Sequence, residues 1–181
     1  MKVHQVYSHG PLANFSYIIV FSGNAIVIDP FDASQLISIL EAEGLNLTNI
    51  INTHDHWDHT QGNEGLVHRY GCPVIVQKNS LDRIPFASKG VVEGEVLSLK
   101  DNGKLIFYQT PGHTEDHLCP FLYEDGRLIA AFTGDTLFNA GVGNCKNGGN
   151  PEVLYETIRD HFYPLDDSVL VYPGHDYIRN N

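Results

Sequence analysis

The sequence predicts one α/β or α+β domain, with sheets packed together and helices outside. Short runs rich in β-branched and aromatic residues recur along the chain, and helices are fewer but well marked. No repeat or linker interrupts the 181 residues, a length that can bury its own core. Strands that come in runs, with helices between only some of them, bury their faces best as packed sheets.

The strand-like runs are Val3 to Tyr7, Phe15 to Phe21, Ala25 to Ile28, Asn49 to Asn52 and Pro73 to Val76. Lys104 to Gln109, Leu118 to Tyr123, Arg127 to Phe132 and Ser168 to Tyr172 follow. Glu124-Asp125-Gly126-Arg127 joins two of them, because Asp-Gly suits a tight hairpin turn. The first helix is expected over Asp32 to Gly44. Its Leu36, Ile37, Ile39 and Leu40 share a face, with Asp32 or Ser34 as cap and Gly44 as stop. A second is expected from about His59 to Tyr70. A third opens at Asn150-Pro151-Glu152, a capping residue followed by proline in the first turn. Val153, Leu154, Ile158 and Phe162 form its apolar face, and Pro164 ends it.

Eleven basic against 22 acidic residues leave a net charge of −11. Such a surface repels phosphate backbones and anionic membranes, so neither nucleic acid nor membrane is an expected partner. Cys72, Cys119 and Cys145 are far apart and odd in number, which argues against a disulfide framework or a cysteine-zinc site. The N-terminus has no signal-like apolar run, and no segment approaches membrane-span length. A cytoplasmic setting is expected.

The chemistry is concentrated in Asn52-Thr53-His54-Asp55-His56-Trp57-Asp58-His59. His54, His56, Asp58 and His59 follow one strand directly. Three other strands also run out into Gly- or Asp-containing turns: Pro111-Gly112-His113, Thr133-Gly134-Asp135 and Pro173-Gly174-His175. If those strand ends lie side by side, their loops converge on one rim, rigid below and open above. His54, His56, Asp58, His59, His113, Asp135 and His175 are too many donors for one tetrahedral ion, so two divalent metal ions are expected. Imidazole and carboxylate without thiolate suit zinc, iron or manganese and do not choose among them; zinc is taken as the first candidate, with iron or manganese as alternatives. His4, His9, His68, His117 and His161 are read as ordinary surface or core histidines.

These same residues resemble the metallo-β-lactamase superfamily: THDHWDH matches its HxHxDH signature, and PGHT, GDT and PGHDY match its later ligand loops. The similarity runs from Asn14-Phe15-Ser16-Tyr17 and Asp29-Pro30 to Tyr177. It implies a four-layer αββα sandwich over residues 1–181 with a dinuclear centre on one edge. One metal would take His54, His56 and His113, and the other Asp58, His59 and His175, with Asp135 as the bridge.

Within the superfamily, Phe132-Thr133-Gly134-Asp135-Thr136-Leu137-Phe138 and Gly174-His175-Asp176-Tyr177 are most similar to glyoxalase II, the hydroxyacylglutathione hydrolases. That resemblance implies hydrolysis of a small acyl thioester, possibly glutathione-based, by a hydroxide bridging two cations. Asp58 and Asp135 would be the catalytic carboxylates. Tyr177 matches a glutathione contact, whereas Asn144 stands where the family carries a cation and Lys146 where it carries an aromatic. The family also continues into a helical C-terminal region where this sequence stops at Asn181. The alternative activity is an iron-dependent persulfide dioxygenase using His54, His113 and Asp135. The remaining alternative is a non-catalytic metal-binding protein on the same fold.

Overall fold

The computed structural model describes residues 1–177, so the last four positions of the expected domain lie outside the described residues. Six strands form the first sheet in chain order: β1 (Lys2–Tyr7), β2 (Phe15–Phe21), β3 (Asn24–Ile28), β4 (Asn46–Ile51), β5 (Val74–Gln77) and β6 (Ala87–Val91). β1, β2 and β3 pair antiparallel, and the pairs from β3 through β6 are parallel. The second sheet contains β7 (Val96–Ser98), β8 (Gly103–Gln109), β9 (Leu118–Glu124), β10 (Arg127–Gly134) and β11 (Leu170–Pro173), in the order β11-β10-β9-β8-β7. Only β10 and β11 pair parallel in it. The helices are α1 (Ala33–Ala42), α2 (Trp57–Thr60), α3 (Asn63–Tyr70) and α4 (Pro151–Thr157).

The period of two in the strands sorts side chains into layers. Tyr17, Ile19 and Phe21 of β2 and Ile26 and Ile28 of β3 point between the sheets, where they meet Leu105, Phe107, Leu118, Leu122 and Phe132. Their sequence neighbours Ile18, Ala25 and Val27 point the other way, onto Leu36 and Leu40 of α1 and Leu66 of α3. Cys119, Phe121 and Ala131 cover the outer face of the second sheet together with Phe162. Helix, sheet, sheet and helix therefore stack in four layers, the αββα architecture expected. Both faces of β2 to β5 are covered, which is why these strands read as nearly unbroken apolar runs. Phe132 is fully buried in the central layer, so its truncation to alanine would cost about 3–5 kcal/mol.

Local signals account for most boundaries. Asp32 accepts hydrogen bonds from the Ser34 and Gln35 amides, so it caps α1 in preference to Ser34. Asn150 caps α4 through the Glu152 and Val153 amides, and a π-helical turn, Ile158–Phe162, follows and seats Phe162. Asp125 and Gly126 both have positive φ, 50° and 79°, the geometry a two-residue hairpin needs.

Two expectations are corrected. The helix expected from His59 to Tyr70 is two helices, α2 and α3, separated at Gln61–Gly62. The Gly62 amide donates to the Pro30 carbonyl at 2.9 Å, and a β-carbon at Gly62 would lie 2.7 Å from that oxygen. This close approach breaks the helix and turns the chain. Strands β6 and β7 were not anticipated. β6 (ASKGV) carries lysine and glycine at the sheet edge, and β7 is three residues long, so neither shows an apolar pattern.

Candidate metal centre

Four strand ends bring the expected donors to one edge of the sandwich. β4 delivers the 52–60 segment, β8 delivers His113, β10 delivers Asp135 and β11 delivers His175. Parallel pairing of β10 and β11 places Asp135 and His175 side by side. Backbone hydrogen bonds stitch the loops across the sheets: Leu118 amide to Thr53 carbonyl at 2.7 Å, Gly174 to Gly134 at 2.7 Å, and Phe15 to Gly174 at 2.8 Å.

The donor atoms converge in two sets. His54 Nε2 lies 3.0 Å from His56 Nδ1, and His113 Nε2 lies 3.1 Å from the same atom, with Asp135 Oδ2 3.6 Å from His113 Nε2. On the other side His59 Nε2 and His175 Nε2 are 3.2 Å apart, and Asp58 Oδ2 is 3.7 and 3.5 Å from them. Asp135 Oδ1 is 3.4 Å from His59 Nε2 and 3.2 Å from His175 Nε2, so its two oxygens face the two sets. All seven sequence-predicted ligands are thus brought together, six of them buried and His56 half-buried. Separations near 3 Å approximate the edge of a tetrahedron whose arms are roughly 2.0–2.1 Å, the zinc–imidazole distance.

The outer edges of the imidazoles show why the inner nitrogens suit a cation. His113 Nδ1 donates to the Asn144 carbonyl at 2.6 Å, and His175 Nδ1 donates to the Leu12 carbonyl at 2.8 Å. His59 Nδ1 faces Asp29 Oδ2 at 2.9 Å. Thr53 Oγ1 donates its single proton to Asp29 at 2.7 Å, so it accepts from His54 Nδ1 at 2.9 Å. With the proton held on the outer nitrogen, each of these inner nitrogens presents a lone pair. Asp135 Oδ1 is buried with no hydrogen-bond partner although two imidazole nitrogens surround it. Lone pairs facing a carboxylate with no proton between them fit a shared cation.

For His54 and His113 the electrostatics point the same way, whereas the carboxylates around His59 draw that ring toward protonation, a charge that a cation between Asp58, Asp135 and His175 would take over. Burial disfavours charge on His54 and His113 and pushes both below the usual imidazole range, toward the neutral form that binds metal. Burial also opposes charge on His59, but Asp135 and Asp29 outweigh it and raise its pKa. Burial opposes ionisation of Asp135, yet His59 and His175 hold its carboxyl well below the usual range.

Several functional neighbours were missed in the sequence. Asp29 fastens Thr53 through the backbone amide and the hydroxyl, and it fastens His59 as well. It follows β3 as the ligands follow their strands, so the same strand-end signal applied there would have found it. The Asn14 side chain donates to Asp58 Oδ2 at 2.9 Å and carries no such local signal. His117, read from the sequence as an ordinary surface or core histidine, is a core one: it is fully buried, stacked on His54 at 5.0 Å, and its Nε2 accepts from the Asp135 amide at 3.3 Å. It lies beneath the ligands because β9 starts there and turns it inward. Arg83 clasps the ligand loop from outside, bonding Asp55 at 2.7 Å and Asp116 at 2.6 Å.

The residues expected to touch substrate are placed less uniformly. A cavity of about 210 Å³ opens at Asp135 and is lined by Phe138, Val142, Gly143, Asn144 and Tyr177. Tyr177 stacks on His175 with centroids 4.8 Å apart and rings 4° from parallel. Asn144 lines the cavity and also supplies the carbonyl that orients His113. Lys146 is exposed and is not part of the cavity wall. Cys145 is half-buried, and burial raises its thiol pKa, which does not favour a nucleophile.

The family model described as metallo-beta-lactamase superfamily matches residues 9–175. The chain belongs to the metallo-beta-lactamase superfamily. A hydroxyacylglutathione hydrolase of Nitrosococcus oceani is 38% identical over 183 residues, covering 100% of this chain and 69% of that protein. The structure of ETHE1 from Myxococcus xanthus superposes with a TM-score of 0.87 at 28% identity, covering 99% of this chain and 77% of that one. The BLEG-1 B3 metallo-beta-lactamase superposes with a TM-score of 0.86 at 23% identity, covering 97% and 92%, and that likeness speaks for the fold alone.

Proposed function

We propose that the protein is a metal-dependent hydrolase that cleaves a small acyl thioester, with a hydroxyacylglutathione as the leading substrate. The observation that carries this reading is the pair of converging donor sets sharing Asp135 beside an open cavity. His54, His56 and His113 would hold one divalent cation, Asp58, His59 and His175 the other, and Asp135 both. Zinc is the first candidate, with iron or manganese as alternatives. When bound, such a pair supplies Lewis acidity and hydroxide near neutral pH. The protein's own residues orient and exclude. Asn14 fixes the Asp58 carboxylate, Asp29 and Thr53 fix His59 and His54, and Phe138 and Tyr177 wall the cavity against bulk water. Membership of the superfamily and the similarity to named hydroxyacylglutathione hydrolases support thioester hydrolysis.

No helix among the described residues is long and apolar enough to cross a membrane. A relative from Arabidopsis thaliana is named hydroxyacylglutathione hydrolase cytoplasmic, and a cytoplasmic setting is proposed here too. Residues 1–181 are proposed to act as one domain.

The second reading is the single-iron persulfide dioxygenase. His54, His113 and Asp135 do lie in one cluster, as that reading needs. Asp58, His59 and His175 then have no role, although they converge equally well. Steady-state kinetics on S-lactoylglutathione, with metal content measured on the same sample, test the proposal. Thioester cleavage at two metals per chain is expected. Oxygen uptake with glutathione persulfide and no thioester cleavage would replace it with the second reading.

A further inference from the structure

We propose that the groove between the 142–145 loop and α4 binds an apolar acyl chain of the substrate, extending the cleft outward from the metal centre. This inference rests on the thioesterase reading and names its substrate class. The groove holds about 440 Å³ and is lined by Val142, Cys145, Leu154, Tyr155, Ile158 and Tyr163, with Gly143 and Pro151 completing it. That volume falls within the roughly 300–1,000 Å³ of small-molecule sites, which are likewise walled mostly by apolar groups.

Continuity with the centre is the main argument. Val142 and Gly143 line both this groove and the cavity that opens at Asp135. A β-carbon at Gly143 would fall 2.0 Å from the Asp135 carbonyl and 2.6 Å from His113 Nδ1, so the loop backbone lies directly on the ligand scaffold. A substrate whose acyl carbon sits at Asp135 therefore has the groove within one residue's reach. The groove also leaves apolar surface in water: Val142 is 48% exposed, Tyr155 59% and Tyr163 69%. Clustered exposure of this kind marks a binding surface.

The lining chooses between the two ends of a thioester. Among the described residues no carboxylate, ammonium or guanidinium lines the groove, so the charged glutathione moiety would lose its hydration there with no partner from that lining. A hydrocarbon chain loses nothing by the same transfer. The acyl end is the occupant.

The test uses the metal-loaded full chain and N-acetylcysteamine thioesters from acetyl to octanoyl. kcat/KM should climb roughly threefold to fourfold per added methylene until the groove is full. Tyr155→Asp introduces a charge on an exposed wall, and Ile158→Phe fills the space without a charge. Each should flatten the climb, with the largest loss on the octanoyl ester and the smallest on the acetyl ester. Rates independent of length, or a climb that neither variant alters, would overturn the assignment. S-methyl and S-hexyl N-acetylcysteamine thioethers, measured by calorimetry, separate the groove from the chemistry. Tighter binding of the hexyl probe in the wild type, lost in Tyr155→Asp, supports the groove even if no thioester is cleaved. Equal binding of the two probes removes it.

Discussion

The 52–60 ligand loop and the 141–149 loop both reach the metal centre, and they are built in opposite ways. In the first, His54, Asp58 and His59 are buried, and each is tied to another element through Thr53, Asn14 or Asp29. In the second, Val142, Asn144, Lys146 and Asn147 are exposed, and the Asn144 side chain accepts from the Lys146 amide two residues ahead. The first loop is held by its side chains, whereas the second is held by its backbone, at Gly143 and at the Asn144 carbonyl, and leaves most of its side chains in solvent. The contrast separates side chains whose change would disturb the donor sets from exposed ones, at Val142, Asn144, Lys146 and Asn147, whose change should have little effect on folding.

If that contrast holds, damage should fall steeply from the first loop's surroundings to the second loop. Asp135→Ala should have the largest effect. It removes the carboxylate between the two donor sets and leaves two cations to repel each other. Activity should drop by more than about a hundredfold, the scale for losing one electrostatic stabiliser at a reacting centre. Metal analysis should find fewer than two ions per chain, and a fully active variant holding two would break the comparison at its centre.

Asp29→Asn comes next, because it weakens the grip on Thr53 and His59 without touching the inner nitrogens. A loss of about 10–100-fold in metal affinity is expected, as for other outer partners of ligating histidines. Competition with a chelator reads it, and unchanged affinity would deny Asp29 its positioning role.

His117→Ala should act mainly on folding. It empties a fully buried site and leaves the Asp135 amide without its acceptor, for about 1–3 kcal/mol and a Tm lower by roughly 2–12 °C. Calorimetric unfolding checks this. If the change cost as much activity as His113→Ala with Tm intact, His117 would belong among the ligands.

Lys146→Ala should be mildest. An exposed cation near a substrate carboxylate contributes little in high dielectric, so KM should rise several-fold at most. Turnover should hold, because such a contact serves ground state and transition state alike. A collapse in kcat on S-lactoylglutathione would show that the open loop takes part in the chemistry.

By itself the sequence determined the kind of chemistry and the architecture. Four donors within residues 54–59, and three further strand ends each carrying one, announce a metal centre because such side chains are rarely clustered without a cation to justify their burial. The apolar runs of β2 to β5 and the caps Asp32 and Asn150 act over a few residues, so they are legible locally. Only the tertiary structure decided what depends on distant partners. Asn14 and His117 look ordinary in the chain and Asp29 shows only its strand-end position; all three matter because packing the two sheets carries them to the ligands. Gly62 splits a helix only because Pro30 is packed against it, and β6 and β7 become strands only when neighbours lend them hydrogen bonds. The groove beside α4 is likewise invisible in the sequence, since Val142, Leu154 and Ile158 form one wall only after the loop folds back onto Asp135. Local free-energy terms are written residue by residue, whereas burial and enclosure belong to pairs of elements that the sequence keeps far apart.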